Sequence, residues 1–301
     1  MSKEEYISVE EASKRWQLSG RSVRNYCASG RIEGALLDGN AWQIPSKAEK
    51  PSRKIRHILK EETLLTVLKR EKDAGLKGGI YHKIQIDLTY NSNHIEGSKL
   101  THDQTRFIFE TKTIGITDKA LNVDDIIETV NHFRCIDLAI EGAKTKLSES
   151  YIKQLHFILK SGTTDSQKSW FKVGDYKMLE NEVGGTETVK PEDVARQMKS
   201  LLAEYNAKSE LSLDDILDFH VRFESIHPFQ DGNGRIGRLI MFKECLKHNI
   251  VPFIITDELK AFYYRGIKNW KDERGYLRDT CLSAQDFMKQ SLDYFRIRYG
   301  C

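Results

Sequence analysis

The spacing of apolar residues constrains the fold of this chain more than any other feature. From about residue 58 onward, apolar residues recur at positions i, i+3 and i+4, which places them on one face of a helix. This spacing predicts helices over residues 126–140, 191–205, 213–226, 235–245 and 257–270. Glycines and β-branched residues interrupt the pattern over 181–191, as they do in a β-hairpin. The body of the chain is therefore expected to be mostly α-helical, with one hairpin.

The first 50 residues are organised differently. Ser8, followed three residues later by Glu11, is typical of a capping box that opens a helix, and a second helix follows after a tight turn. Residues 35–44 place Asp-Gly-Asn between short apolar runs, which predicts a hairpin. Two helices and a wing resemble the small winged helix-turn-helix of the MerR and excisionase type. We predict such a domain over residues 1–50 and a basic linker with a leading helix over 51–80.

Positive charge is concentrated in the first 60 residues. Residues 1–60 carry twelve basic and seven acidic residues, a net charge of +5, whereas the whole chain has +3. Arg21 and Arg24 lie one turn apart at the start of the second predicted helix, where a recognition helix meets DNA. DNA binding through residues 1–50 is therefore one prediction. A protein-docking role for the segment is the alternative.

Composition excludes several classes of protein. A chain with 39% hydrophobic and 30% charged residues is typical of a water-soluble globular protein. It has no run of 18 or more apolar residues, and its N-terminus is charged where a secretory signal is apolar. The five cysteines are scattered without a C-x-x-C pair, which favours reduced thiols and no cysteine zinc site. We expect a cytoplasmic protein without a membrane span.

The stretch from His227 to Arg238 carries the strongest chemical signal. It reads H-P-F-Q-D-G-N-G-R-I-G-R and lies between two predicted helices. At the start of the second helix the backbone N–H groups, unobstructed by side chains at Gly232 and Gly234, suit phosphate oxygens. Arg235 and Arg238 lie one turn apart and add forked donors. The stretch therefore predicts a polyphosphate site.

Two other side chains of the stretch suit chemistry at such a site. Asp231 precedes the helix, and a carboxylate beside phosphates is tolerated best when Mg²⁺ bridges the two. His227 closes the preceding helix and is placed to accept a hydroxyl proton. A structural alternative exists, because His220, Glu224 and His227 share a helical face and could form a buried polar cluster or a zinc site.

The stretch resembles the signature of the Fic family, H-P-F-x-[D/E]-G-N-G-R-x-x-R, at every fixed position. The resemblance covers about residues 58–295 and implies a Fic catalytic core over 98–297 with a β-hairpin flap. It implies adenylylation, in which AMP is transferred from ATP to a Ser, Thr or Tyr hydroxyl of a target protein. ATP and the target protein are the implied partners and Mg²⁺ the implied cofactor. Self-modification and a homodimer are also compatible with the family.

The resemblance also implies a role for each matched position. His227 would be the general base, Asp231 the metal ligand, and Phe229 the anchor of the loop in the core. The implied nucleotide-binding positions are Asp231, Gly232, Asn233, Gly234, Arg235, Ile236, Gly237 and Arg238, with Tyr263 at the adenine. The implied flap positions, which would hold the target segment, are Val183, Gly184, Gly185 and Thr186. Gly-Asn-Gly at 232–234 favours AMP transfer, because family members that act as kinases carry Ala-Asn-Lys there.

A second motif precedes the catalytic core. Gly97 is typical of the residue that ends a helix, and Glu96 before it would face the negative end of the helix dipole, so we expect an external partner for its charge. Ser92-x-x-x-Glu96-Gly97 resembles the Fic inhibitory pattern [S/T]-x-x-x-E-[G/N], in the class whose inhibitory helix, here 81–97, is N-terminal to the signature. The resemblance implies that Glu96 pairs with Arg238 and restrains the γ-phosphate, while Ser92 helps to fix the helix end.

Three functions remain open at this point. The first is a self-inhibited protein adenylyltransferase with an N-terminal helix-turn-helix. The second is a DNA-binding transcriptional regulator that uses the Fic body as a nucleotide sensor. The third is a bifunctional Fic enzyme, or one that mainly removes AMP, because some relatives use the inhibitory glutamate to orient water.

Overall fold

The computed structural model describes residues 5–28, 30–39, 41–51, 62–115, 120–183 and 185–299. The chain divides into two compact units, residues 1–60 and 61–301. Most of the predicted basic linker, together with Asn40 of the predicted wing turn and Gly184 of the predicted flap, lies outside the described residues. No helix of the described part is long and apolar enough to cross a membrane.

The first unit combines two helices with a small antiparallel sheet. Its elements in chain order are β1 (Tyr6–Ser8), α1 (Val9–Trp16), α2 (Gly20–Ala28), β2 (Leu36–Asp38) and β3 (Ala41–Pro45). The strand order is β1-β3-β2. The capping box is confirmed, because the Glu11 N–H donates to Ser8 Oγ at 3.1 Å and the Ser8 N–H donates to the Glu11 carboxylate at 2.8 Å. Strand β1 was missing from the prediction, since it pairs with a strand more than thirty residues away, Ile7 opposite Ile44.

The second unit is mostly helical, as predicted. Its helices are α3 (Leu64–Asp73), α4 (Ile80–Ile95), α5 (His102–Thr111), α6 (Val123–Glu141), α7 (Glu149–Lys160), α8 (Pro191–Asn206), α9 (Leu213–Ile226), α10 (Asn233–Lys247), α11 (Asp257–Lys268) and α12 (Gly275–Tyr294). A 3-10 turn spans Thr164–Gln167, and a hairpin is formed by β4 (Glu182–Val183) and β5 (Thr186–Glu187). The predicted helices correspond to α6 and α8–α11, and their ends differ by up to three residues. Helix α3 lies in the predicted leading segment.

Helix α10 is the centre of this unit. Every residue from Arg235 to Leu246 is buried, and the helix packs against α4, α6, α7 and α9. Its buried charges are paired, because Lys243 Nζ lies 2.6 Å from Glu244 Oε1 and donates to the Thr145 carbonyl at 2.8 Å. The hydrophobic contacts around α10 fix its N-terminus, which is the end that meets the loop from α9.

Helix α4 packs against α10 and against α6. It ends at Ile95, so Glu96 is the residue just after the helix rather than in its last turn, and Gly97 follows with φ of 99°. The side toward α6 is polar: Thr89 Oγ1 lies 2.9 Å from His132 Nδ1, and Asn93 Nδ2 donates to Thr129 Oγ1 at 3.2 Å. These contacts hold the end of α4 beside the start of α10.

Candidate active site

The loop between α9 and α10 presents the N-terminus of α10. His227 follows α9 in the left-handed conformation, with φ of 51°, and Gly232 precedes α10 with φ of 85°. Between them Phe229 is fully buried, and its ring stacks on that of His156 with centroids 4.0 Å apart. The loop is therefore anchored in the core at its middle, as expected of Phe229.

Asn233 closes this loop with its side chain. The Phe229 N–H donates to Asn233 Oδ1, and Asn233 Nδ2 donates to the Phe229 carbonyl, both at 2.8 Å. The asparagine is 1% exposed. The Asn233 side chain thus satisfies both backbone groups of a buried loop residue, a role that the sequence did not predict.

His156 of α7 supports the loop through a hydrogen bond and was not predicted from the sequence. The Gly174 N–H donates to His156 Nδ1 at 2.9 Å, so Nε2 carries the proton and donates to the Asp231 carbonyl at 3.2 Å. Burial lowers the pKa of His156 to about 3, which keeps the ring neutral. A lone histidine on an amphipathic helix gives no signal of such a contact.

Asp231 and Arg235 belong to a compact group of charges. Asp231 Oδ2 accepts hydrogen bonds from Lys160 Nζ at 2.6 Å and from Arg235 Nη2 at 3.1 Å. Glu128 of α6 accepts from the same two cations. Burial opposes ionisation of Asp231, but Arg235 and Lys160 outweigh it and hold the pKa of the carboxyl well below its usual range. Arg235 is only 4% exposed, so its guanidinium is engaged with carboxylates rather than turned to solvent.

The residues present fit Mg²⁺ but not zinc. Asp231 is an ionised carboxylate whose side chain is 48% exposed. Mg²⁺ is commonly held by one or two carboxylates together with substrate phosphates, so a single carboxylate beside a phosphate site suffices. No group of three or more His, Cys, Asp or Glu side chains within the described residues could hold a metal ion by itself. The zinc alternative for His220, Glu224 and His227 was therefore wrong.

Arg238 is bound by the end of α4. Its Nη2 donates to Glu96 Oε1 at 2.7 Å and to the Ser92 carbonyl at 2.9 Å, and its Nε donates to Ser92 Oγ at 3.0 Å. Burial opposes the charge of Arg238, but Glu96 raises the pKa of the guanidinium, so it remains protonated. A Cβ at Gly234 would collide with the Glu96 carboxylate. Glycine at this position thus admits Glu96 to the start of α10.

His227 is neutral in this environment. Burial, followed by the positive charge of Lys177, lowers the pKa of His227 to about 4, and its Nδ1 has no hydrogen-bond partner among the described residues. The ring is partly exposed. An imidazole that is unprotonated at neutral pH can accept a proton from a hydroxyl.

The polar cluster that one sequence alternative predicted is present only in part: His220 and Glu224 both lie beside Gly237, but the hydrogen-bond partner of His220 is Tyr263 rather than His227. His220 Nε2 lies 2.6 Å from the Tyr263 hydroxyl, and both residues are at most 1% exposed. Burial raises the pKa of Glu224 to about 8. Gly237 gives this cluster its space, because a Cβ there would lie 2.7 Å from His220 Nδ1 and 2.8 Å from Glu224 Oε1.

Three predicted nucleotide-binding positions therefore do not face the loop surface. Tyr263 is buried against His220, whereas the neighbouring Tyr264 is 43% exposed. Gly237 faces the polar cluster. Ile236 is fully buried, and its N–H donates to the Gly232 carbonyl at 3.0 Å, so it offers no group to a ligand. Contact of Tyr263 with adenine stays a prediction.

The hairpin is fastened to the same loop. Strands β4 and β5 pair antiparallel, with Val183 opposite Thr186, and Gly185 at the turn has φ of 76°. At the base of the hairpin, Asn181 Nδ2 donates to the Phe229 carbonyl at 3.2 Å, and Lys177 Nζ donates to Asn181 Oδ1 at 2.7 Å. Lys177 is 4% exposed, and its burial lowers its pKa to about 8.

Together these features define a helical protein with an anion-accepting helix N-terminus between a neutral histidine and an ionised aspartate. Residues 146–245 match the family model described as the Fic/DOC family. This stretch of the chain is thus Fic/DOC-like, and the chain is distantly similar to Fic protein adenylyltransferases.

Two of these relatives are protein adenylyltransferase fic-1 of Caenorhabditis elegans and protein adenylyltransferase Fic of Drosophila grimshawi. Each is 28% identical over 63% of this chain. The matches span only 37% and 39% of the relatives' own lengths.

Solved structures show that the fold is Fic-like. A Fic domain containing signaling protein from Bacteroides thetaiotaomicron has a TM-score of 0.61 and 24% identity, covering 76% of this chain and 94% of that one. A Fic family protein from Desulfovibrio desulfuricans has a TM-score of 0.58 and 21% identity, covering 76% of this chain and 72% of that one.

Proposed function

We propose that this protein transfers AMP from ATP to a hydroxyl group of a target protein and that Glu96 restrains the reaction. The observation that carries the proposal is the α9–α10 loop, which presents the N-terminus of α10 between a neutral His227 and an ionised Asp231. The homology to protein adenylyltransferases supports the same reaction class.

The chemistry follows from the positions of these groups. The target hydroxyl oxygen forms a bond to the α-phosphorus as the bond from that phosphorus to the bridging oxygen breaks, and pyrophosphate leaves. The hydroxyl proton passes to His227, whose low pKa keeps it ready to accept one. Backbone N–H groups at the start of α10, beside Gly232 and Gly234, would hold the phosphates. Mg²⁺ bound at Asp231 would neutralise phosphate charge.

The restraint follows from the three bonds of Arg238. While the guanidinium is held by Glu96 and Ser92, it is not available to the γ-phosphate, and the polyphosphate lacks the partner that would align the α-phosphorus with the acceptor. This assigns α4 the inhibitory role and Glu96 and Ser92 the regulatory positions. The hairpin, through residues 183–186, is proposed to hold the target segment by strand pairing.

The test is incorporation of label from [α-³²P]ATP with Mg²⁺ into the protein itself and into proteins of a lysate. We expect incorporation by Glu96→Gly and a loss of about 10²- to 10⁴-fold when His227→Ala is added. His248→Ala in the same background is the matched control, because His248 also caps a helix, α10, but belongs to no proposed role. Normal turnover in the His227 variant would refute the assignment of the base. Release of AMP from a modified protein, without incorporation, would favour the opposite direction of reaction.

A second function, DNA binding, is proposed for the first unit. The observation that favours it is the surface of α2, where Arg21 and Arg24 are both exposed one turn apart, beside a three-residue turn after α1 and a small sheet. We interpret residues 1–50 as a winged helix-turn-helix. The full chain should shift duplex DNA, with affinity that falls steeply as salt rises.

Charge-matched variants test this interpretation. Arg21→Gln with Arg24→Gln should weaken the DNA shift, whereas Lys14→Gln with Lys47→Gln removes the same charge from exposed positions outside α2 and should weaken it less. Absence of any shift by the unmodified chain at low salt would favour a protein-docking role.

A further inference from the structure

A buried ion pair between the neighbouring helices α6 and α7 contacts Asp231. Lys160, at the end of α7, is 2% exposed, and the side chain of Glu128 on α6 is 12% exposed. Lys160 Nζ is 2.5 Å from Glu128 Oε1 and 2.6 Å from Asp231 Oδ2. Buried charges are costly unless they are paired, so this pair requires a reason beyond packing.

The pair fixes which oxygen of Asp231 faces outward. Lys160 and Arg235 both donate to Oδ2, the same oxygen of the carboxylate. Neither cation takes Oδ1, and the side chain is 48% exposed. The carboxylate is thereby held in one orientation, with Oδ2 toward the helices.

Glu128 also sets the charge of the group. Lys160 and Arg235 supply two positive charges, and three carboxylates face them: Glu128, Asp231 and Asp165, whose Oδ2 lies 3.6 Å from Lys160 Nζ. Without Glu128 both cations would lose a carboxylate partner, and the surroundings of Asp231 would be more positive and less favourable to a bound cation. Glu128 additionally holds both cations in place, because each donates to one of its oxygens.

We propose that Lys160 and Glu128 are positioning residues that hold Asp231 Oδ2 so that Oδ1 binds the divalent cation of the nucleotide. The inference rests on the proposed function, which makes Asp231 the metal ligand. Side chains that orient a metal ligand commonly change metal affinity by about 10- to 100-fold when they are replaced. This assigns α6 and α7 a part in the site that the 227–238 stretch does not contain.

The experiment measures how much Mg²⁺ improves nucleotide binding, which requires no turnover. The probe is an ATP analogue with a methylene group between the α- and β-phosphorus, and its Kd is measured by calorimetry in Mg²⁺ and in EDTA. The test variant is Lys160→Met with Glu128→Gln, which keeps the net charge of the group. The matched control is Lys14→Met with Glu10→Gln, the same replacements at an exposed pair in the first unit.

The Mg²⁺-dependent gain, which is the ratio of the Kd in EDTA to the Kd in Mg²⁺, should fall by about 10- to 100-fold in the test variant and remain unchanged in the control variant. An unchanged gain in a folded test variant, with Asp231→Asn abolishing the gain, would overturn the positioning inference alone. An unchanged gain in Asp231→Asn would overturn the metal assignment of the proposed function and this inference with it. If the double variant does not fold, Glu128→Asp replaces it, because aspartate keeps the charge but moves the carboxylate away from Lys160 and Arg235. The Mg²⁺-dependent gain in nucleotide affinity must then fall in this variant for the inference to stand.

Discussion

Replacement of Glu96 by glycine should activate the protein. The change removes one of the three hydrogen bonds that Arg238 donates, the 2.7 Å bond to the charged Glu96 carboxylate, and leaves both bonds to Ser92. A hydrogen bond to a charged group contributes about 1.5 to 3 kcal/mol net, equivalent to about 10- to 150-fold in an equilibrium constant. Because Ser92 continues to hold the guanidinium, we expect AMP transfer to rise by less than the full contribution of this bond, but by at least about 5-fold, the lower bound of typical coupling between linked sites.

The assay compares initial rates of AMP incorporation at fixed ATP and Mg²⁺. Glu96→Gln, which keeps the size but removes the charge, should lie between the wild type and Glu96→Gly. Glu141→Gly is the matched control, because Glu141 is the last residue of α6 and is paired with Lys72 at 2.8 Å rather than with an arginine of α10. A general loosening of helix ends would activate both glycine variants alike.

A second measurement separates release of Arg238 from other causes. In Glu96→Gly the guanidinium lacks one acceptor until ATP supplies phosphate oxygens, so ATP should raise the Tm of this variant more than that of the wild type. Equal rates for the wild type and Glu96→Gly, together with equal shifts in Tm, would refute the idea that Glu96 restrains the reaction.

Three other outcomes follow from the same contacts. Arg238→Ala should lower AMP transfer although it also breaks the contact with Glu96, because ATP needs the guanidinium; a rate as high as that of Glu96→Gly would contradict this. The rate should fall on the acid side only well below pH 6.5, because burial and Lys177 lower the pKa of His227 to about 4 and the base stays unprotonated until the pH falls that far. Lys177→Met should move this fall in rate to higher pH, because it removes the positive charge that lowers the pKa. Asn233→Ala should reduce the free energy of unfolding in urea by about 1 to 3 kcal/mol, because it leaves the Phe229 N–H buried without a partner, while the Phe229 carbonyl keeps only the bond from Asn181.

Much of the fold could be predicted because its helices have one apolar face. Helices α8 and α9 carry that stripe and begin at recognisable residues, Pro191 in the first turn of α8 and a Ser212 capping box before α9. Helix α10 is buried on all sides, so its pattern gave only the middle of the helix, and its charged pair of Lys243 and Glu244 resembles a solvated face. Only the tertiary structure shows that both are fully buried.

The candidate site could likewise be predicted only in part. Local signals in the 227–238 stretch predicted the helix N-terminus, the histidine and the carboxylate, because these residues are neighbours along the chain. His156, Lys160 and Glu128 could not be predicted, since they reach the loop from α6 and α7, with Glu128 lying 107 positions from Arg235. Each looks like an ordinary residue of an amphipathic helix until the helices are packed.

The two arginines of α10 differ in how readily a nucleotide could displace their partners. Both are buried and already paired, so polyphosphate gains only the difference between phosphate and carboxylate as partners. Glu96 stands at a helix end with a side chain that is 30% exposed, so water can solvate its charge once Arg238 leaves it. The side chain of Glu128 is only 12% exposed, so water cannot readily replace Arg235 as its partner, and Lys160 would remain as its one cation. We therefore expect ATP to compete for Arg238 while Arg235 stays with Glu128, which confines the restraint to one arginine and leaves the other to hold Asp231.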